Sequence, residues 1–405
     1  MLTYTYTARN TTTGEKLKAE VQAESEQAAT RLIVAEGLAP LDIKLKDSEV
    51  TGIRRLLNRV PTKDKVIFSR QLSTLINAGL PLTQSLRSVA AQTKNKSMQA
   101  VIAGITSEVE GGKTMSEALR KYPRVFNAVF VNLVAAGEAS GTLDTALERL
   151  ANQQEKDAEI VSKVRGALTY PIIVIIVMIA VVSFMLISVL PQVQVLYKGM
   201  PGAHLPAVTS FLLAISNFIM KKWYIVMLLV AGLSFMGSRW LGTIAGKRFL
   251  DQYKMRAWPI GPLFMKLYMA RFARTGTTLV ASGVPLIQML QITGEAVNNT
   301  HIQESSSKAT EKVKGGKSLS VALQGDPNFL DLVPQMLKIG EDSGAIEQML
   351  DKTADYYEKE VDNQIKAIST IIEPVLMVIL GIVAITIVAA VLLPIYSLVG
   401  QNVIK

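Results

Sequence analysis

The chain has 405 residues, room for two or three domains, with 43 Lys and Arg against 33 Asp and Glu and a net charge of +10. Apolar residues make up 49% and charged residues only 19%. The mean hydropathy of +0.29 therefore excludes a disordered chain and points to concentrated apolar segments. With no Cys and only His204 and His301, disulfides, thiolate metal sites and Cys nucleophiles are excluded. The composition leans away from an enzyme, and no cofactor is expected.

In chain order, the first ten residues lack the apolar core of a signal peptide, so the N-terminus is expected to stay in the cytoplasm. Tyr4, Tyr6 and Ala8 alternate, 10–14 reads as a turn and 17–21 alternates again. A helix over 25–36 stopped by Gly37 and a strand over 41–45 complete a small ββαβ domain, 1–47. A basic linker, 48–61, follows. Thr62 is expected to cap a helix running to Asn77, with Gly79 as its left-handed stop and Pro81 near the first turn of the next helix. Gly111-Gly112 ends another helix, Pro123 breaks a short one, and Gly137 ends a further one. Ser140 or Thr142 then starts a helix carrying Leu143, Leu147, Leu150 and Ala151 at helical spacing. About six helices are predicted for this domain, 62–167.

Two uncharged apolar stretches follow, 171–190 and 374–398. From Ile172 to Leu190 a helix would span roughly 28 Å, against a hydrocarbon core of about 30 Å. Transmembrane helices are predicted at 168–190, 223–241 and 374–398, the alternative being buried core helices. The segment 206–220 is too short to cross and stops at Lys221 and Lys222. With Thr209, Ser210, Ser216 and Asn217 it reads as an amphipathic surface helix within an external loop, 191–222. Between Arg239 and Arg274 stand eight basic residues and one acid, Asp251, against three Lys in 191–222. That bias places the following domain, 262–372, and the N-terminus inside, and the C-terminus outside.

The chain repeats itself. Phe68, Arg70, Thr74, Leu75, Gly79, Pro81 and Leu82 recur as Phe272, Arg274, Thr278, Leu279, Gly283, Pro285 and Leu286, an offset of 204. Gly111-Gly112-Lys113 recurs as Gly315-Gly316-Lys317. One residue is then dropped. Gly137-Glu138, Ser140 and Gly141 recur as Gly340-Glu341, Ser343 and Gly344, and Pro171 recurs as Pro374. The predicted fold is an all-α integral membrane protein, with two repeated cytoplasmic six-helix bundles, three transmembrane helices and the small N-terminal domain.

Neither repeated motif is a strong chemical signal. GGKT and GGKS resemble the end of a phosphate loop, but Ser107 and Glu311 stand where that loop needs Gly, so helix–helix turns are expected. Glu138 and Glu341 have no nucleophile or His fixed beside them in both copies. They are expected to cap the next helix, with cation or partner binding as the alternative. Whether a metal binds is left open. Glu155, Asp157, Glu159 and the later Asp355, Glu358, Glu360, Asp362 read as solvated helix faces, or as a partner contact. The basic residues lie beside spans, so phospholipid rather than nucleic acid is the expected anionic partner. Glu373 abuts a span at its watery edge, where a proton path is a weaker reading than simple hydration.

The Phe-x-Arg-x-Leu-x-x-Leu-x-x-Ala-Gly-x-Pro-Leu run at 68–82, Gly-Gly-Lys-x-x-x-x-Ala-Leu at 111–119 and Gly-Glu-x-Ser-Gly-x-Leu at 137–143 resemble the inner-membrane platform proteins of type IV pilus and type II secretion machines. The resemblance covers essentially residues 1–400. The second copy departs at Gly276, Ser282 and Ile346, where the first has Leu72, Ala78 and Leu143. It implies a non-enzymatic core on which a cytoplasmic hexameric ATPase docks, with spans meeting pilin or pseudopilin stems. Inner-membrane alignment proteins and a second copy, as a dimer, are the other implied partners. The alternatives from other classes are a repeat-built transporter and a membrane receptor that only tethers a partner.

Overall fold

A computed structural model describes residues 2–10, 16–23, 26–45, 60–198 and 206–403. The predicted turn at 10–14, apart from Asn10, and the linker, apart from residues 60 and 61, lie outside the described residues. Two compact units are present.

The first unit holds residues up to Glu159, Met269–Asn298 and Ile302–Ala354. It opens with β1 (Leu2–Asn10), β2 (Lys16–Ala23), α1 (Glu26–Ala35) and β3 (Leu38–Leu45), the sheet running β2-β1-β3 and antiparallel throughout. Tyr6 and Ala8 on one strand face bury against Ile33 and Leu38, the period-2 pattern of a half-buried strand.

The first helical copy comprises α2 (Thr62–Asn77), α3 (Leu82–Gln92), α4 (Lys96–Glu110), α5 (Met115–Arg120), α6 (Ala128–Ser140) and α7 (Leu143–Phe184). Between the copies come α8 (Leu190–Lys198), α9 (Ala207–Leu241) and α10 (Ile244–Arg256). The second copy comprises α11 (Gly261–Ala281), α12 (Leu286–Ala296), α13 (Thr300–Lys314), α14 (Leu319–Leu323), α15 (Leu332–Ser343) and α16 (Ile346–Val403). Phe68 and Phe272 are buried at equivalent places, each against an aromatic of its own copy. Phe68 meets Phe126 at 5.6 Å between ring centroids, and Phe272 meets Phe329 edge-on at 5.0 Å. The Leu72/Gly276 departure is compensated in volume. A Cβ on Gly276 would come within 3.2 Å of Leu350 and 3.5 Å of the Met289 sulfur, and Met289 stands where the first copy has Ser85. Leu with Ser in one copy becomes Gly with Met in the other, and volume-conserving exchanges are the ones cores tolerate.

Two predicted helix boundaries are corrected. Thr62 is the first helical residue rather than the cap. Pro61 holds the cap position at φ −64°, ψ 149°, because its ring presets the extended backbone a cap needs. The helix thought to end at Gly137 runs on to Ser140 and stops at Gly141, φ 72°.

The second unit holds Ile160–Tyr268, Asn299–His301 and Asp355–Lys405. Ile160 of α7, Leu263 of α11 and Val361, Ile365 and Ile368 of α16 form one apolar cluster. Beyond it, α7 and α16 pass into segments whose Ile, Val and Phe side chains stand largely exposed. Among the described residues two helical stretches, Leu143–Val195 and Ile346–Tyr396, are long and apolar enough to cross a membrane. A third arises only if Thr209–Lys222 and Met227–Leu241 are taken together across their 82° bend, which falls at Lys222 with non-helical φ −126°.

Candidate functional site

The doubled motif residues converge on the turns that hold each bundle together. Gly79 and Gly283 take φ 84° and 78°, left-handed stops for α2 and α11. Pro81 and Pro285 follow as the extended caps of α3 and α12. Gly137 and Gly340 lie inside α6 and α15, where the start of the next helix presses on them. A Cβ on Gly137 would sit 2.6 Å from the Ala146 Cβ, and one on Gly340 would sit 2.8 Å from the Ile346 Cα. The Ser140 hydroxyl donates back to the Ala136 carbonyl at 2.8 Å, and that of Ser343 to Ile339 at 2.6 Å. Gly141 and Gly344 (φ 72° and 68°) then reverse the chain.

Glu138 and Glu341 do cap a helix, but not the next one. The Glu138 carboxylate accepts from the amides of Met115 and Ser116, the latter at 3.0 Å, at the start of α5. Glu341 accepts from the amides of Leu319 and Ser320 at the start of α14. The helix after each Glu starts too close behind it in sequence, whereas the short helix returns across its open end. A short helix has few amides bonded internally, so the two donors a carboxylate takes are a large share of its orphans. Thr114 and Ser318 take one more donor each, from Glu117 and Val321. The amides that a phosphate would need after Gly-Gly-Lys are therefore held by the protein's own carboxylates. Lys113 is turned to Glu108, as is Lys121 at 2.6 Å. Those two ammonium groups hold the Glu108 carboxyl below the usual carboxylate range.

The acidic runs are ion-paired rather than simply solvated. Arg70 clamps Glu155 with two bonds of 2.6 Å, which lowers the Glu155 carboxyl's pKa from its ordinary value. Arg274 instead meets Asp351 at 2.6 Å, two turns nearer the start of its helix. Arg271 of the second copy pairs with Asp157 of the first at 3.4 Å, and Gln153 donates to Thr275 at 2.8 Å. The exit helix of one copy is thereby joined to the opening helix of the other. Within the second unit, Lys163 pairs with Asp362 at 2.6 Å and Lys266 with Glu360 at 2.7 Å.

Pro171 and Pro374 lie inside α7 and α16, which run on through them, with Pro171 buried and Glu373 and Pro374 exposed. A second pair of prolines near the far ends of the spans leaves carbonyls without partners. Pro394 removes the amide that would bond Ala390, and the Thr209 hydroxyl of α9 donates there at 3.3 Å. In the first copy the chain passes through a π-helical turn, Met185–Val189, in which the Leu190 amide reaches back to Met185. In that register Leu186 would bond residue 191, which is Pro191, and the Ser216 hydroxyl of α9 serves Leu186 instead. The surface-helix reading of 206–220 is thus inverted. Thr209 and Ser216 are buried against the spans, while Phe211 and Phe218 stand exposed, because the orphan carbonyls are on the protein side. Sequence reasoning also missed buried Asp251. It accepts from the Thr300 amide and hydroxyl at 3.0 and 3.1 Å, tying α10 to the start of α13.

Among the described residues no group of three His, Asp or Glu side chains could hold a metal. The repeated carboxylates are committed to amides and cations, and the two longest helices carry the bundles into apolar segments. This is the arrangement of a repeat-built helical scaffold anchored in a membrane. The chain belongs to the family described as Type II secretion system (T2SS), protein F, whose domain matches twice, over residues 68–191 and 272–394. The N-terminal domain of the same family matches residues 1–44. The chain is 37% identical over 404 residues to a type IV pilus assembly protein PilC from Thermus thermophilus, covering 99% of both chains. It is 36% identical to a protein of the same name from Myxococcus xanthus over 96% of this chain and 94% of that one. To a type II secretion system protein F from Aeromonas hydrophila it is 32% identical over 93% and 98%.

Proposed function

We propose that this protein is the inner-membrane platform of a type IV pilus or type II secretion machine, coupling a cytoplasmic hexameric ATPase to the lifting of pilin or pseudopilin subunits from the bilayer into a filament. The observation that supports it is the stem built twice: a bundle continued without interruption through a proline into an apolar span, over 42 residues in α7 and 58 in α16. A continuous hydrogen-bonded helix carries torque and tilt, which a flexible chain does not.

In this reading the bundles 62–167 and 262–372 are the cytoplasmic docking domains, joined to 1–47 by the linker 48–61. The spans are 168–190, 223–241 and 374–398, with 191–222 and the C-terminus external. Pilin stems meet the spans, alignment proteins hold the platform in place, and two copies associate. The protein supplies no catalysis or cofactor of its own; Glu138 and Glu341 serve the fold.

The test is to insert about six Gly/Ser residues after Gly166, an exposed position with open space around it. Filament assembly is expected to be lost while membrane insertion and co-purification of the ATPase survive. Filaments at normal levels would replace the coupling role with passive tethering.

A further inference from the structure

The segment that leaves α9 carries an aromatic surface that nothing in its own unit covers. Trp240, at the end of α9, packs on Phe249 of α10 at 5.5 Å between ring centroids. Both rings remain about half exposed, as does Tyr253, and Trp258 just beyond the helix is 80% exposed. Phe249 and Tyr253 are each two residues from Asp251, about 200° around a helix, and so lie on the opposite face. The Asp251 face is the one fixed to protein. Asp251 is buried on Thr300, His301 Nε2 lies 3.2 Å from the Arg248 carbonyl, and the Asn299 amide reaches the Met255 sulfur. The helix therefore cannot roll to hide its aromatic side.

Charge identifies what covers it. From Arg239 to Arg256 the chain has five basic residues, Arg239, Lys247, Arg248, Lys254 and Arg256, and one acid, Asp251. That acid is the one turned into the protein. The patch also begins where an apolar helix ends, at Leu241, so it continues a lipid-facing surface. Trp and Tyr rings with basic neighbours at the end of an apolar helix match the headgroup layer, apolar below and anionic above.

We infer that α10 with Trp240 and Trp258 is an interfacial helix that docks on anionic phospholipid of the leaflet facing the bundles, fixing the second bundle's height against the bilayer. This deepens the proposed function and rests on its membrane topology. A bundle held at one height passes motion into the spans instead of sinking or lifting under load.

The chain has three Trp, so Trp223→Phe with Trp240→Phe leaves Trp258 as the reporter in the full-length protein. It is reconstituted into vesicles of phosphatidylcholine with and without phosphatidylglycerol, some of it brominated near the carbonyl end of its acyl chains. Carbonate extraction of the same vesicles reads membrane insertion separately. Expected are a blue-shifted emission and quenching by brominated lipid that rises with phosphatidylglycerol, the rise being lost in Arg239→Gln with Arg256→Gln, two exposed positions. Lys254 is left in place because it pairs with Asp251. Tyr253→Cys carrying an environment-sensitive dye, in this otherwise Cys-free chain, repeats the measurement if the Trp variants fold poorly. Inserted protein whose Trp258 is quenched by aqueous iodide alone, or equally by both lipid mixtures, overturns the proposal and leaves the platform reading intact. So does a reporter shielded from both quenchers until the protein is diluted in lipid, which would assign the surface to a second copy. Protein that is extracted by carbonate contradicts the membrane topology itself, and with it both readings.

Discussion

The Thr209 hydroxyl bonds the Ala390 carbonyl, the acceptor that Pro394 four residues later leaves without an amide. One helix, α9, performs this repair for α16 and, through Ser216 and Leu186, for the π turn that follows α7. The repair predicts an unusual double-mutant result. Thr209→Val is expected to destabilise the protein by about 1 kcal/mol, the range found for hydroxyl bonds between membrane helices. In a Pro394→Ala background the restored amide serves Ala390, so the same Thr209→Val should cost clearly less. Denaturant-induced unfolding in mixed micelles measures both; equal costs in the two backgrounds would refute the repair.

The carboxylate caps predict a local defect. Glu138→Ala leaves the amides of Met115 and Ser116 unpaired and should lower stability by about 1–3 kcal/mol. Glu138→Gln keeps one acceptor oxygen and should lose less. Hydrogen exchange should accelerate at residues 115–117 before the rest of the bundle, and Glu341→Ala should do the same at 319–321.

Two kinds of glycine should separate on substitution. At Gly79 the space is open and only φ 84° is strained, so Gly79→Ala should cost about 1–2 kcal/mol. At Gly340 a Cβ would fall 2.8 Å from backbone that cannot move alone. Gly340→Ala is expected to cost more than Gly79→Ala and to weaken the α15–α16 corner. Thermal melts of the two purified variants give the order.

Acid should release the Arg70 clamp. The Glu155 pKa is lowered in the folded protein by the hydrogen bond from Arg70. Its contribution is therefore complete above the ordinary glutamate value of about 4.3 and is lost as pH falls through the lowered folded value. The stability gap between the native protein and Glu155→Gln should be flat around neutral pH and close only in acid. A gap that closes nearer neutral pH would contradict the clamp.

Orientation is open to single-cysteine labelling. Gln324, in the second bundle, is exposed. Gly202→Cys should react with an impermeant reagent in intact cells, and Gln324→Cys only after lysis.

The doubled bundle was legible because its turns depend on residues that cannot be exchanged freely. Gly79 and Gly283 need left-handed backbone, and Gly137 and Gly340 leave no room for a Cβ, so the offsets of 204 and 203 stay visible in one chain. What Glu138 binds was not legible. Met115 and Ser116 lie over twenty residues away, and only the packed bundle brings that helix end to the carboxylate. The orientation of 206–220 was misread for a related reason. Hydroxyls mark the wet side of a helix when its neighbours are satisfied, but here Pro191 and Pro394 leave the unsatisfied groups on the dry side. Pro191 and Pro394 stand at the repeat offset of 203, and each is a missing amide donor whose acceptor must be served from another helix.

The length of α16 has a mechanical meaning. In the proposed topology the bilayer begins at Pro374, and the arm from Ile346 to Glu373 would measure about 42 Å and the arm from residue 374 to 398 about 38 Å at 1.5 Å per residue. A lever with nearly equal arms neither amplifies travel nor multiplies force. In the proposed coupling role, a displacement of a few ångströms at the bundle end would reach the far leaflet as about the same displacement in the opposite direction. The step size delivered to a neighbour in the bilayer would thus be set by whatever moves the bundle, with the helix acting as a one-to-one rocker.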